Sequence, residues 1–349
     1  PAMVPWRSNE SGDVTEDVLA WYERFARGKP GAIVVEATGI RDIPSGPLLR
    51  ISSDKYLPGL TRLVDTIKTA SDGETRVLIQ IIDFLQIRRR PDPTKYLNRH
   101  LILRPEHYVA LSLPFEAENE PAVRTALLSL SPEDLESVLN QKEWEDLQYG
   151  YRERITDTHL PHIAQLPEIL PRLFCDAAIR AQAAGFDGVE LHYAHAYTMA
   201  SFLSATNNRT DGYGNTLEGR LRLPLEVYGA VREACSKDFV VGCRILSDEI
   251  IDQGTRIEEA CSIARALADA GMDFLSVSRG GKFDDAKQPR VGGAVYPYTG
   301  RSGYECMPSY ISDAQGPGGG GGGAVSLIRE FLRQNGLNTP VVLAGGQYG

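Results

Sequence analysis

The chain has 349 residues, 42% hydrophobic and 24% charged, with a formal net charge of −9 at pH 7. That length fits one large α/β domain or two smaller ones with a sizeable core. The acidic balance argues against nucleic acid or an anionic membrane surface as the main partner, and no apolar run approaches the length of a membrane span.

Taken in chain order, "PAMVPW" (1–6) is a plausible first strand. "GAIVVEAT" (31–38) and "TRVLIQII" (75–82) are short β-branched runs set off by turn residues, too short for helices. Residues 88–168 break the rhythm. They open on the Pro-broken "RRRPDPTKYLNRH" and continue, from a capping Ser131, into a helix expected over 131–155. "ILPRLFCDAAIRAQAAG" (169–185) is an amphipathic helix stopped by Gly185. "FDGVELHY" (186–193) and "FVVGCRIL" (239–246) are further strands. The helix "RIEEACSIARALADAG" (256–271) leads to "MDFLSVS" (272–278), and "PVVLAGG" (340–346) is the last strand.

Strands alternating with crossover helices predict a parallel sheet. With "PAMVPW" counted, seven strands are one short of a (β/α)8 TIM barrel, and the final β/α unit is expected to lie beyond the chain end. A doubly wound open sheet is the rival, but the early GxGxxG turn it calls for is not there. The whole of 1–349 then reads as a single barrel domain, with 88–168 as a cap over the C-terminal mouth, where barrel active sites sit. "GPGGGGGGAV" (316–325) is low in complexity, reads as a stand-in loop, and carries no functional reading. The start has neither an initiator Met nor a signal-peptide pattern. The five cysteines are odd in number and contain no CxxC pair, so they read as reduced thiols of a cytoplasmic protein without a zinc or iron–sulfur motif inside the chain.

Chemistry concentrates in "GVELHYAHAYTMASFLSATNNRTDGYG" (188–214), which holds His192 and His195, two of the six histidines, and Tyr197. If the strand ends between the histidines, both reach the barrel mouth. Two imidazole donors there can grip one carbonyl oxygen, and Tyr197 can supply a proton. Two other readings stand beside this one. The histidines are structural, or they are ligands of a metal-dependent hydrolase or aldolase barrel, with Glu190 as the only obvious local helper.

"GFDGVELHYAHAYTMASFLS" followed by "NNRTDGYGNTLEGRLR" resembles the signature of the Old Yellow Enzyme family, FMN-dependent ene-reductases. The match is long and specific in its polar spacing, and it extends thinly over nearly the whole chain. The resemblance implies FMN as cofactor and NADH or NADPH as hydride donor. The implied substrate is a small α,β-unsaturated carbonyl compound or thioester, and a homo-oligomer is compatible. By the same resemblance His192 and His195 hold the activating carbonyl and Tyr197 protonates Cα. Gln80 would hydrogen-bond the flavin ring, and Arg244 would stand beside flavin N1 and the C2 carbonyl. Gly345 and Gly346 would meet the phosphate, and Ala37, Val4 and Pro5 would lie along the flavin. Some relatives fuse such a barrel to iron–sulfur domains and reduce CoA thioesters or demethylate amines, which is a further alternative.

Departures from the family pattern fall at Asn215 and Gly219, where Gly and Asn are usual, and at Ala196, usually Gly. Asp83 and "FLQIRRR" replace the usual His and Gly-Arg after Gln80, and Val4 and Pro5 offer no side-chain donor.

Overall fold

The computed structural model describes residues 2–43, 46–86, 92–149, 153–195, 197–249, 253–280 and 322–343. Its described residues fall in two compact units.

The first unit is built on six parallel strands: β1 (Ala32–Gly39), β2 (Arg76–Ile82), β3 (Gly188–Tyr193), β4 (Val240–Leu246), β5 (Leu275–Ser278) and β6 (Val341–Leu343). Their order in the sheet is their order in the chain. A doubly wound sheet must reverse direction at a switch point, and this order has none. Every crossover advances the same way, so the connecting helices cover one face and the other is turned inward, as in a barrel wall.

Both faces follow from the period of two along a strand. Val35, Ile79, Val189, Leu191, Val241, Cys243, Ile245, Leu275 and Val277 join one buried apolar cluster with the helices. Helix α1 (Glu16–Ala26) shows how the sequence specifies them. Thr15 caps it by accepting the Val18 N–H at 3.2 Å, Glu16 and Asp17 sit in its positive first turn, and Val18, Leu19, Tyr22 and Ala26 form its buried stripe. Helix α2 (Leu57–Ala70) adds Leu60, Leu63, Val64 and Ile67 to the same core.

Residues 2–7 form no strand, contrary to the sequence expectation. Pro5 has no N–H for a ladder, and Trp6 turns the chain out of extended geometry at φ 57°. Val4 and Pro5 therefore lie in irregular, part-exposed chain outside the sheet.

The second unit covers residues 86–153 among the described residues, so the excursion closes earlier than the expected 168, and 154–168 belong to the first unit. Helices α3 (Pro105–Ala110), α4 (Glu120–Ser129), α5 (Pro132–Val138) and α6 (Gln141–Tyr149) surround a core of its own that includes Tyr96, Leu101, Val123, Leu127 and Leu135. Ser131 caps α5 as its sequence implies, accepting the Asp134 N–H at 3.1 Å. The single helix expected over 131–155 is two helices. The chain leaves helical geometry at Leu139 (ψ 144°). It restarts because Asn140 Oδ1 accepts the Glu143 N–H at 2.9 Å while Glu143 Oε2 accepts the Asn140 N–H at 3.0 Å, a reciprocal capping box.

In the first unit, α7 (Leu166–Ala183) precedes β3, α8 (Thr198–Leu203) and α9 (Leu217–Ala234) follow it, and α10 (Ile257–Asp269) precedes β5. Helix α11 (Gly322–Gln334) takes in the last residues of the Gly-rich 316–325 stretch, whose remainder lies outside the described residues. No helix among the described residues is long and apolar enough to cross a membrane.

Candidate active site at the end of strand β3

Where the helix-facing side of the sheet is apolar, the inward face carries polar side chains in two registered rows. Gln80 aligns with Glu190 and Gly242 across β2, β3 and β4. One step toward the strand ends, His192 aligns with Arg244 and Ser276. All of these side chains are buried. Gly242 belongs to the row because a Cβ there would meet the Phe274 ring at 2.3 Å.

Buried polar groups need partners, and the partners here define the chemistry. Gln80 Nε2 donates to Glu190 Oε1 at 2.5 Å, and the same oxygen lies 3.3 Å from Arg244 Nε. Arg244 Nε and Nη2 nevertheless have no hydrogen-bond acceptor, although the side chain is only 7% exposed. Two guanidinium donors so placed are suited to a ligand edge rich in acceptors. Glu190, the helper that a metal reading of the histidines needs, is committed to Gln80 and Arg244. Among the described residues no group of three or more His, Cys, Asp or Glu can hold a metal.

β3 ends at Tyr193, and the chain then turns so that both histidines face one place. His195 takes φ 58°, a left-handed geometry that His tolerates better than most residues. His192 Nε2 and His195 Nδ1 lie 3.4 Å apart. The backbone N–H of Ala194 donates to His192 Nδ1 at 3.2 Å, and His195 Nε2 is 2.7 Å from Ser278 Oγ. Tyr197 stands directly before α8, its ring edge-on to His192 at 5.2 Å and to Phe84 at 5.2 Å. Burial, then His195 and Arg244, hold His192 well below the usual imidazole pKa; burial and Arg244 push His195 down to about 3. Both rings are therefore neutral near pH 7, each a donor at one nitrogen and an acceptor at the other.

The structure thus brings together Gln80, Arg244, His192, His195 and Tyr197 at one end of the sheet. Ala37 is buried in a bulge of β1, in the step of register that faces Gln80. Val4 and Pro5 are not on a strand, and Gly345 and Gly346 lie outside the described residues. Sequence reasoning misses two participants, Arg41 and Ser278, and the role of a third, Glu190, which it offers only as a metal helper. Glu190 orders Gln80 and Arg244. Arg41 grips Asp83 with Nε to Oδ1 at 2.5 Å and Nη2 to Oδ2 at 2.9 Å, which explains how a buried carboxylate replaces the family's usual His there. Ser278 touches His195. The alternation of Ser276 and Ser278 in the buried "LSVS" is the signal that exposes it.

The second half of the signature proves to be scaffold. Arg209 donates to the carbonyls of Ile155, Ile163 and Ala164 and pairs with Asp211. Asn207 Nδ2 donates to Phe202 O and Tyr213 O, both at 2.8 Å. The two departures fit this loop. Asn215 takes φ 61° where the family has Gly, and its Nδ2 donates to Arg209 O at 2.8 Å. Gly219 has no room for the family's Asn, since a Cβ would meet Gly214 O at 2.3 Å.

The model of the NADH:flavin oxidoreductase / NADH oxidase family matches residues 121–310, more than half of the chain. NADH oxidase of Thermoanaerobacter brockii is 28% identical over 285 residues, which cover 80% of this chain and 36% of that protein. NADPH dehydrogenase of Bacillus cytotoxicus is 27% identical over 283 residues, covering 80% of this chain and 66% of that protein. The chain thus spans about a third of the first relative and two thirds of the second. The solved structure of Old Yellow Enzyme from Pichia sp. AKU4542 shares the fold, with a TM-score of 0.55 at 20% identity over 99% of this chain and 78% of that one.

FMN and a nicotinamide nucleotide are the cofactors this family uses, and the residues present fit a flavin: the orphaned Arg244 donors suit its N1 and C2 carbonyl edge, and an amide held by Glu190 suits its ring edge. Sheet order, the polar strand ends and the family match agree, and the chain belongs to the NADH:flavin oxidoreductase / NADH oxidase family, that of Old Yellow Enzyme.

Proposed function

We propose that the chain reduces the carbon–carbon double bond of an α,β-unsaturated carbonyl compound. The observation that carries this reading is the pair of ring nitrogens, His192 Nε2 and His195 Nδ1, set 3.4 Å apart with Tyr197 beside them. An oxygen about 2.9 Å from each fits that gap.

FMN, when bound, would supply the hydride for the β-carbon, with NADH or NADPH as its source. The histidines bind the carbonyl oxygen and orient the substrate. As negative charge builds on that oxygen, their N–H groups stabilise it without reorganising. Neutral rings suit this task, because they donate without surrendering a proton to the enolate. Tyr197 delivers the proton to the α-carbon. Arg244 and Gln80 hold the flavin edge, and Glu190 balances the Arg244 charge.

The test uses the flavin-loaded protein, an enone and NADH deuterated at the transferable position. The expected product carries deuterium at the β-carbon and a solvent proton at the α-carbon. Nicotinamide consumption without reduction of the double bond would overturn the proposal.

A further inference from the structure

We infer that Ser278 is a positioning residue that holds His195 as its Nδ1–H tautomer, so that His195 Nδ1–H and His192 Nε2–H are aimed at one acceptor oxygen. The inference rests on the reading above, that the pair grips a substrate oxygen, and adds what places the two protons.

A neutral imidazole carries one ring proton, on the nitrogen opposite the one that accepts a hydrogen bond. For His192 the backbone decides. The Ala194 N–H donates to Nδ1 at 3.2 Å, so the proton is on Nε2, the nitrogen that faces His195.

For His195 two arrangements connect the same atoms. In the first, His192 Nε2–H donates to His195 Nδ1 and His195 Nε2–H donates to Ser278 Oγ. That chain is closed and offers nothing to a ligand. In the second, the Ser278 hydroxyl donates to His195 Nε2, the ring proton moves to Nδ1, and both N–H groups converge on the gap.

The distances favour the second arrangement. Ser278 Oγ lies 2.7 Å from His195 Nε2, at the ~2.7–2.8 Å mode of hydroxyl donors and at the short limit of the ~2.7–3.2 Å range of N–H donors. The 3.4 Å between the two histidines is longer than the ~2.7–3.2 Å of a made N–H bond. It leaves room for an oxygen to accept from both.

Ser278 is well placed to decide. It is the last residue of β5, and its carbonyl accepts from Ser247 N at 2.8 Å and Ser247 Oγ at 3.0 Å, so its backbone is pinned. What remains free to turn is the side chain, and one hydroxyl rotation separates the closed chain from the open clamp. Burial and the Arg244 charge keep both rings neutral, so neither carries a second proton that would make the tautomer irrelevant.

The experiment is 15N NMR of histidine-labelled, FMN-loaded protein with a para-substituted phenol as the oxygen probe. In the wild type His195 is expected as Nδ1–H. Ser278→Ala is expected to move the proton to Nε2 and weaken phenol binding about tenfold, the scale of one net hydrogen bond. Ser278→Thr, which keeps the hydroxyl, is expected to restore both. An Nε2–H His195 in the wild-type complex, or an unchanged Nδ1–H in Ser278→Ala, would overturn the inference. The tautomer is read apart from turnover. If the wild type fails to reduce enones while His195 shows the expected Nδ1–H and its loss in Ser278→Ala, the ene-reductase proposal falls and the role of Ser278 stands.

Discussion

Glu190 Oε1 lies 3.3 Å from Arg244 Nε, both side chains buried on the inward face of the sheet. Arg244 is thus neutralised by Glu190 but keeps two donors without acceptors, which separates its part in stability from its part in binding. Glu190→Met strands a buried charge and is expected to destabilise the flavin-free protein by about 3–5 kcal/mol, with the Glu190→Met/Arg244→Met double variant recovering much of that. Arg244→Met leaves the Glu190 carboxylate uncompensated and is expected to destabilise the flavin-free protein as well, but unlike Glu190→Met it is also expected to remove donors to FMN and weaken its binding about ten- to a hundredfold, the scale of charge-assisted hydrogen bonds. Urea unfolding and flavin titration check the two halves. Wild-type FMN affinity in Arg244→Met would remove this residue from the site.

Asp83 has a fully buried side chain and is gripped by Arg41 through both oxygens. Arg41→Ala leaves that carboxylate uncompensated and is expected to cost about 3–5 kcal/mol, whereas Arg41→Ala/Asp83→Ala is expected to cost less than the sum of the singles. Strict additivity in the double-mutant cycle would mean that the pair is not coupled.

Glu36 on β1 is wholly buried, its backbone N–H donating to Tyr22 Oη at 2.7 Å, and burial raises its carboxyl pKa from 4.5 to about 8. The folded state therefore holds this proton more tightly than the unfolded chain does. The resulting stabilisation is complete below pH 4.5 and is lost as pH rises toward 8, by up to about 1.4 kcal/mol per pH unit. Glu36→Gln is expected to flatten that slope in denaturant titrations run from pH 5 to 8. An unchanged slope would place its cause elsewhere.

Gly219→Asn restores the residue usual in the family, a kind of change that often stabilises. Here the new Cβ meets Gly214 O at 2.3 Å, and a loss of about 1–3 kcal/mol is expected from overpacking. Thermal unfolding of the variant measures it, and a raised melting temperature would contradict the close approach.

The six strands of the sheet are legible in the sequence because each is a short β-branched run set off by turns, and the period of two along β3 already gives His192 the last inward position of its strand. "PAMVPW" misleads because apolar content is no substitute for ladder donors, which Pro5 lacks. The break at Leu139 is invisible to hydrophobic periodicity, which runs on through it, although Asn140 and Glu143 hold the capping-box spacing that marks it. The signature "NNRTDGYG" is specific to the family but says nothing by itself about chemistry; only the carbonyls gathered around Arg209 show that it is scaffold. Glu190 and Ser278 escape a reading by residue type because their roles arise from neighbours on other strands, Gln80 and Arg244 for the one and His195 for the other.

The two-donor grip of His192 and His195 on a substrate oxygen is tested most directly by stopped-flow measurement of the oxidative half-reaction, in which an enone reoxidises flavin already reduced. His192→Ala and His195→Ala are each expected to slow that step by about a hundred- to a thousandfold, the cost of about 2.7–4 kcal/mol for losing a donor to developing oxyanion charge, and to weaken phenol binding in parallel. Wild-type rates of enone reduction together with wild-type phenol affinity in both variants would contradict it and make the pair structural.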